Sequence, residues 1–312
     1  MSPPSRTSPP PSDPLSAKGL TPDQLTFWHK NGYLLIPNAL SPETVSSLLS
    51  ETKTLLTTFN LKDHPMTKFS TGQKSAHVGD DYFLTSHDKI RFFFEEDAFT
   101  ETGTLSKPKE KAINKIGHYL HGISPPFRAA TLNKENAAIA RCLGYRDPRC
   151  LQSMVICKQP EIGGAVPAHQ DSTFLFTEKP SAVGFWYALE DATVDNGCLS
   201  FAAGSHKRAP VKSRFVRVEE GGTGFVDNVG SRFPAGLEME GGKEEREEEY
   251  TIGEVKAGTL VLIHGNLLHK SEKNTSDKSR NIYTFHVIEG EEVYDDRNWL
   301  QPPKEGFSRL YT

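Results

Sequence analysis

Six short apolar runs carry the fold: LQSMVIC (151–157), STFLF (172–176), AVGFWYAL (182–189), CLSFA (198–202), TLVLIH (259–264) and NIYTFHVI (281–288). Each has the length of a strand, and turn signals lie between them. Asn196-Gly197, between two of them, is a hairpin signal. Many short strands separated by turns predict a barrel or jelly roll. Upstream the pattern is helical. Thr21-Pro22-Asp23 opens a helix that stops at Asn31-Gly32, Tyr33–Ile36 is a short strand, and Ser41-Pro42-Glu43 opens a second helix. That second helix carries Val45, Leu48, Leu49, Leu55, Leu56 and Phe59 on a mostly apolar face. Residues 126–143 read as a further helix ending at Gly144, and 82–84 and 90–94 as strands. The expectation is a mainly β fold with a helical coat, its jelly-roll core flanked by N-terminal helices.

The chain has 312 residues, 36 Lys or Arg against 40 Asp or Glu, and a net charge of -4. The mild acidity argues against a nucleic-acid partner, and no apolar run is long enough for a membrane span. Ten of the first 14 residues are Pro or Ser, so residues 1–18 are expected to be a disordered tail, with 19–312 as the folded domain. A secretory leader would need an apolar stretch where this tail stands. Nor do the last residues, Leu310-Tyr311-Thr312, form a Ser-Lys-Leu type of address. The four cysteines form no C-x-x-C pair, which fits free thiols in a reducing compartment. The expected location is cytoplasmic. Residues 219–250 carry ten acidic side chains, three basic ones and seven glycines. They read as a solvated insert or, alternatively, a lid over an active site.

His169-Gln170-Asp171 is the first sign of chemistry. In extended backbone, residues two apart face the same way, so an imidazole and a carboxylate converge. These are two of the three ligands of a 2-His-1-carboxylate triad, which holds Fe(II) and leaves positions open. A third ligand must come from another strand. His264 and His269 are five apart and cannot share a face of one regular strand. His269, where the apolar run meets a turn, is the better placed, and His264 reads as a buried structural residue. Arg280 follows across a polar turn. If the two segments pair as a hairpin, Arg280 comes near the His269 end, where its planar fork suits a carboxylate. The constellation fits a site for Fe(II) and 2-oxoglutarate.

The chain resembles the phytanoyl-CoA dioxygenase family of Fe(II)/2-oxoglutarate-dependent oxygenases from about Leu20 to its end. The resemblance rests on DYFLTSHDKIRFFFE (81–95), INKIGHYLH (113–121), QSMVICKQPEIGG (152–164), PAHQDSTFLFTE (167–178), EDATVDNGCLSFAAGSHK (190–207), LVLIHGNLLHKSEKNTSDKSRNIYTFH (260–286) and NWLQP (298–302). It implies a double-stranded β-helix core. It also implies His169, Asp171 and His269 as iron ligands, with Arg280 and Ser271 on the remote carboxylate of 2-oxoglutarate. Lys115, Met154 and Trp186 are implied to line the co-substrate pocket, with Gln170 as a further candidate. The implied activity couples O2-dependent decarboxylation of 2-oxoglutarate to succinate with hydroxylation of a small organic or acyl substrate. The alternative is a catalytically idle jelly-roll binding module. The acidic insert departs from the family pattern, and nothing in 62–98 points to an acyl-CoA pocket. The residues leave the substrate and the oligomeric state open.

Overall fold

The computed structural model describes residues 19–69, 80–237 and 247–311. The Pro/Ser tail and the middle of the acidic insert lie outside them. The chain opens with helix α1 (Pro22–Asn31), strand β1 (Tyr33–Ile36) and helix α2 (Pro42–Thr58). A capping box starts α1: Thr21 Oγ1 accepts from the Gln24 N–H (3.2 Å) and Gln24 Oε1 accepts from the Thr21 N–H (2.9 Å). Gly32, at φ +78°, ends it in the left-handed region, where a Cβ is disfavoured. Helix α3 (Asp81–Leu84), β2 (Ile90–Phe94), β3 (Ile113–His118), α4 (Leu120–Ile123), α5 (Pro125–Thr131) and α6 (Lys134–Cys142) follow. The remaining strands are β4 (Pro148–Lys158), β5 (Val166–His169), β6 (Val183–Ala188), β7 (Leu199–Phe201), β8 (Ser213–Arg217), β9 (Thr223–Asp227), β10 (Thr251–Gly253), β11 (Leu260–His264), β12 (His269–Ser271), β13 (Arg280–Glu289) and β14 (Ser308–Arg309).

Two antiparallel sheets face each other, as expected of a jelly roll. The larger runs β1-β11-β6-β13-β4-β3-β2, with β14 added to β4, and the smaller runs β10-β7-β12-β5. One face of the large sheet carries Phe185, Tyr187, Tyr283 and Phe285, packed with Trp28, Leu48, Phe127 and Ile139 of the helices. The alternate residues Trp186, Ala188, Val261 and Ile282 pack with Leu199 and Phe201 of the small sheet. Being buried on both faces, β6 reads as one unbroken apolar run rather than as alternation. Each such side chain removed from water contributes about 1.5–3 kcal/mol. The helical coat therefore anchors the sheet whose other face lines the site.

Five local expectations are corrected. Tyr82–Leu84 is a single helical turn, because Asp80 caps it by accepting from the Phe83 N–H (2.8 Å). The helix expected over 126–143 is broken at Leu132-Asn133, where Asn133 Oδ1 accepts from the Asn136 N–H (2.8 Å) and starts α6. The run at 172–176 contains a 3-10 turn, Asp171–Thr173. Asn196-Gly197 is a turn but not a hairpin: β6 lies in the large sheet and β7 in the small one, so it carries the chain between layers. For the same reason β12 and β13 are not hairpin partners. Within the acidic insert, β9 pairs with β8, and Phe225 packs on Phe215 at 5.1 Å between ring centroids.

Candidate metal centre

His169 ends β5 and His269 begins β12, and the two are direct cross-strand partners in the small sheet. Gln170, in extended backbone, turns the chain into the 3-10 element that carries Asp171. Its own side chain points away from the centre, donating to the carbonyls of Ala209 (2.9 Å) and Asn266 (2.8 Å). The Ser172 N–H donates to Gly265 O (2.9 Å), tying the same turn to the β11–β12 loop. Gln170 thus ties the two segments that carry the candidate ligands to each other, and it lines the same cavity.

The ligand atoms of His169, Asp171 and His269 lie within 4.8 Å of one another. Asp171 Oδ1 is 3.4 Å from His169 Nε2 and 3.8 Å from His269 Nε2. Each imidazole has its Nδ1 on a main-chain carbonyl: His169 on Pro167 O (2.9 Å) and His269 on Leu267 O (3.0 Å). A carbonyl only accepts, so Nδ1 carries the proton and both Nε2 lone pairs face Asp171 Oδ1. Burial, reinforced by His169 alongside, lowers the His269 pKa to about 4, so the ring is neutral at pH 7. Burial alone would raise Asp171. The neighbouring His269 and His286, the latter also in hydrogen-bond contact with Oδ2, outweigh it and hold the carboxyl well below its usual range. Two neutral imidazoles and one carboxylate, with lone pairs converging, fit a divalent ion such as Fe(II).

The three residues open onto a cavity of about 1680 Å³, which Lys115, Met154, Trp186, Ser271 and Arg280 also line. Lys115 on β3 is buried, its Nζ 3.4 Å from the centroid of the Phe69 ring. Burial pushes its pKa down to about 7. Arg280, 2% exposed, donates from Nη1 to Gly197 O (2.7 Å), and its guanidinium carbon lies 5.5 Å from the Trp186 ring centroid. Its buried Nε has no partner. Arg280 thus reaches the cavity from the large sheet, although the expected hairpin does not exist. His264 faces elsewhere. It accepts from the Asn266 N–H (3.0 Å) and packs on Trp28 and His206, so it is a structural residue, as expected.

Two residues escaped the sequence reading. His286 Nε2 is 3.3 Å from Asp171 Oδ2, the oxygen turned away from the two ligating histidines. Lys158, 2% exposed, donates to Ser271 Oγ (2.9 Å) and to Glu272 O. Both sit on rows the period-2 rule could have exposed: Gln152, Met154, Ile156, Lys158 on β4, and Arg280, Ile282, Thr284, His286 on β13. Gly184 leaves space beneath the carboxylate, since a Cβ there would lie 3.4 Å from both Asp171 Oδ2 and His286 Nε2.

Known proteins resemble the chain over most of its length. The chain is 41% identical over 302 residues to phytanoyl-CoA dioxygenase domain-containing protein 1 of Bos taurus, covering 94% of this chain and 99% of that one. It is 41% identical over 286 residues to a phytanoyl-CoA dioxygenase of Arabidopsis thaliana, covering 91% and 95%. Among solved structures it shares the fold of the non-heme alpha ketoglutarate dependent carbocyclase SnoK from nogalamycin biosynthesis, at TM-score 0.58 and 19% identity over 91% of this chain and 89% of that one. It also shares the fold of EctD from S. alaskensis with bound Fe, at TM-score 0.58 and 18% identity over 95% and 88%. The phytanoyl-CoA dioxygenase family model matches residues 28–282, and the chain belongs to that family.

Proposed function

We propose that the protein is an Fe(II)- and 2-oxoglutarate-dependent oxygenase acting on a small organic or acyl substrate. One observation carries the reading: two imidazoles held with their Nε2 lone pairs facing a carboxylate, at the wall of a cavity that also receives Arg280. The overall reaction converts 2-oxoglutarate, O2 and a C–H substrate to succinate, CO2 and the alcohol. Bound iron supplies the redox chemistry between these reactants. His169, Asp171 and His269 would hold the metal at the wall of the cavity. Arg280 and Ser271 take the remote carboxylate of the oxo acid, while Met154 and Trp186 pack along its methylenes and Lys115 adds a charge to the same wall. Phe174, Leu175, Phe215 and Trp299 give part of the cavity apolar walls, which shed water from the reacting centre.

Among the described residues no helix is long and apolar enough to cross a membrane, and the bovine and plant relatives are matched over nearly their whole length. The test is the conversion of 2-oxoglutarate to succinate by purified protein, with and without added Fe(II) and O2. Iron- and O2-dependent succinate is the expected result. Its absence at saturating iron, across a panel of small-molecule and acyl substrates, would favour the idle binding module.

A further inference from the structure

Lys158 and Arg280 stand directly opposite each other on antiparallel β4 and β13. Both are only 2% exposed, and both line the cavity. Like charges opposed across a ladder destabilise it, and burying a charge without a counter-charge is expensive. Yet among the described residues neither side chain has a carboxylate within ion-pair distance. The acid that acts on both is Glu95. Burial raises the Glu95 pKa from its ordinary value. Of its oxygens, Oε2 accepts from the Gly164 N–H (3.3 Å) and Oε1 has no partner.

The donors are also incompletely used. The Lys158 ammonium has three N–H groups and spends two, on Ser271 Oγ and Glu272 O. Arg280 keeps a buried Nε–H without a partner. Because Lys158 donates into Ser271 Oγ, the serine's own hydrogen must point elsewhere and is available to an acceptor. Three donors from three strands thus surround the same end of the cavity; two are buried basic groups with no carboxylate in ion-pair contact, and burial, with Arg280 opposite, pushes the Lys158 pKa down to about 7. An anion with several acceptor oxygens completes the arrangement, and a carboxylate has the size and charge to do so.

Resting on the proposed function, we propose that Lys158 is a second cationic anchor for the remote carboxylate of the oxo-acid co-substrate, acting with Arg280 and through Ser271. Arg280 supplies a planar fork. Lys158 supplies a point charge, and by occupying a lone pair of Ser271 Oγ it turns the serine into a donor. The site then selects a dicarboxylate over an oxo acid lacking the second carboxylate.

The experiment is anaerobic calorimetric titration of iron-loaded protein with 2-oxoglutarate and with 2-oxobutanoate, which keeps the oxo-acid end and lacks the remote carboxylate. Lys158→Met is expected to weaken 2-oxoglutarate by about ten- to a hundredfold, or about 1.4–2.8 kcal/mol, and to leave 2-oxobutanoate unchanged. Lys158→Gln, which can still donate to Ser271 Oγ without the charge, carries the same comparison if the Met variant does not fold. Equal weakening of both acids would make Lys158 merely structural, and an unchanged preference would remove it from the site. Either result overturns the proposal. Wild-type protein that bound neither acid would instead defeat the reading of the whole site.

Discussion

The orientation of Asp171 is the point at which the proposed metal site is most exposed to test. His286 is buried on β13, with its Nδ1 3.4 Å from Gln152 Nε2 and its Nε2 3.3 Å from Asp171 Oδ2. The Gln152 amide nitrogen can only donate, so His286 accepts at Nδ1 and carries its proton on Nε2. The His286 Nε2–H therefore donates to Oδ2 and leaves Oδ1 to the side where His169 and His269 converge. In His286→Ala this donor is gone and a void opens beside the carboxylate, which is then free to rotate. A hydrogen bond to a charged group contributes about 1.5–3 kcal/mol, and loss of a partner that orients a metal ligand typically weakens metal binding about 10- to 100-fold. The two ranges agree at about 1.4 kcal/mol per tenfold. The assay is anaerobic titration with Fe(II), with Mn(II) as a redox-inert check, and melting of metal-free protein beside it. The expected result is a metal Kd raised ten- to a hundredfold. His286→Gln, which keeps an N–H donor, is expected to lose less. Undiminished metal affinity in His286→Ala would refute the claim that this histidine orients the carboxylate.

Three further outcomes follow from the geometry. Asp171→Ala should abolish iron-dependent succinate production while far-ultraviolet circular dichroism stays that of the wild type; undiminished production would end the ligand assignment. Arg280→Lys keeps the charge but loses the fork, and should raise the 2-oxoglutarate KM about 10- to 100-fold with an unchanged Fe(II) requirement; an unaltered KM would exclude Arg280 from the co-substrate site. Burial lowers His264 to about 3 and His206 to about 4, whereas both titrate near 6.5 in the unfolded chain. Between those values the unfolded state binds more protons, so stability should fall as the pH drops from about 6.5 to about 4. A urea midpoint that stays flat over that range would contradict the burial of these histidines.

Elements whose evidence is local were legible in the sequence. The Thr21 cap, Gly32 and the apolar face of α2 are set by neighbours a few residues away, so periodicity and capping rules find them. The His169/Asp171 pair was found for the same reason, two residues apart across one extended position. Tyr82–Leu84 was not, because three apolar residues fit a strand as well as a helical turn, and Asp80 decides between them. The Asn196-Gly197 error is of another kind. The dipeptide does form a turn, but whether a turn joins two paired strands or carries the chain between layers depends on strands far away in sequence. In a jelly roll the sequential neighbours β6 and β7, or β12 and β13, lie in opposite sheets.

Arg280 was singled out through a hairpin that does not exist and through the resemblance, and Lys158 was not singled out at all; both places depend on strand register, which bears on what the cavity binds. On one strand, alternation says only that Gln152, Met154, Ile156 and Lys158 share a face. Register turns that face into a surface, by setting Gln152 beside His286, Met154 beside Thr284, Ile156 beside Ile282 and Lys158 beside Arg280. Along this double row the chemistry changes in order. At one end His286 meets Asp171, at the other are two buried cations, and between them lie Met154, Ile156 and the Trp186 ring from the next strand. A wall that is metal-facing at one end, apolar along its middle and cationic at the far end matches a short molecule with a chelating head, methylenes and a terminal carboxylate. A monocarboxylic oxo acid would leave the cationic end uncompensated, and a long apolar acid would place methylenes against Lys158 and Arg280. Under the proposed function, the ladder register, which no single run of the sequence displays, is therefore what favours a dicarboxylate in this part of the cavity, and the aromatic part, around Phe174, Phe215 and Trp299, is the place left for a second reactant.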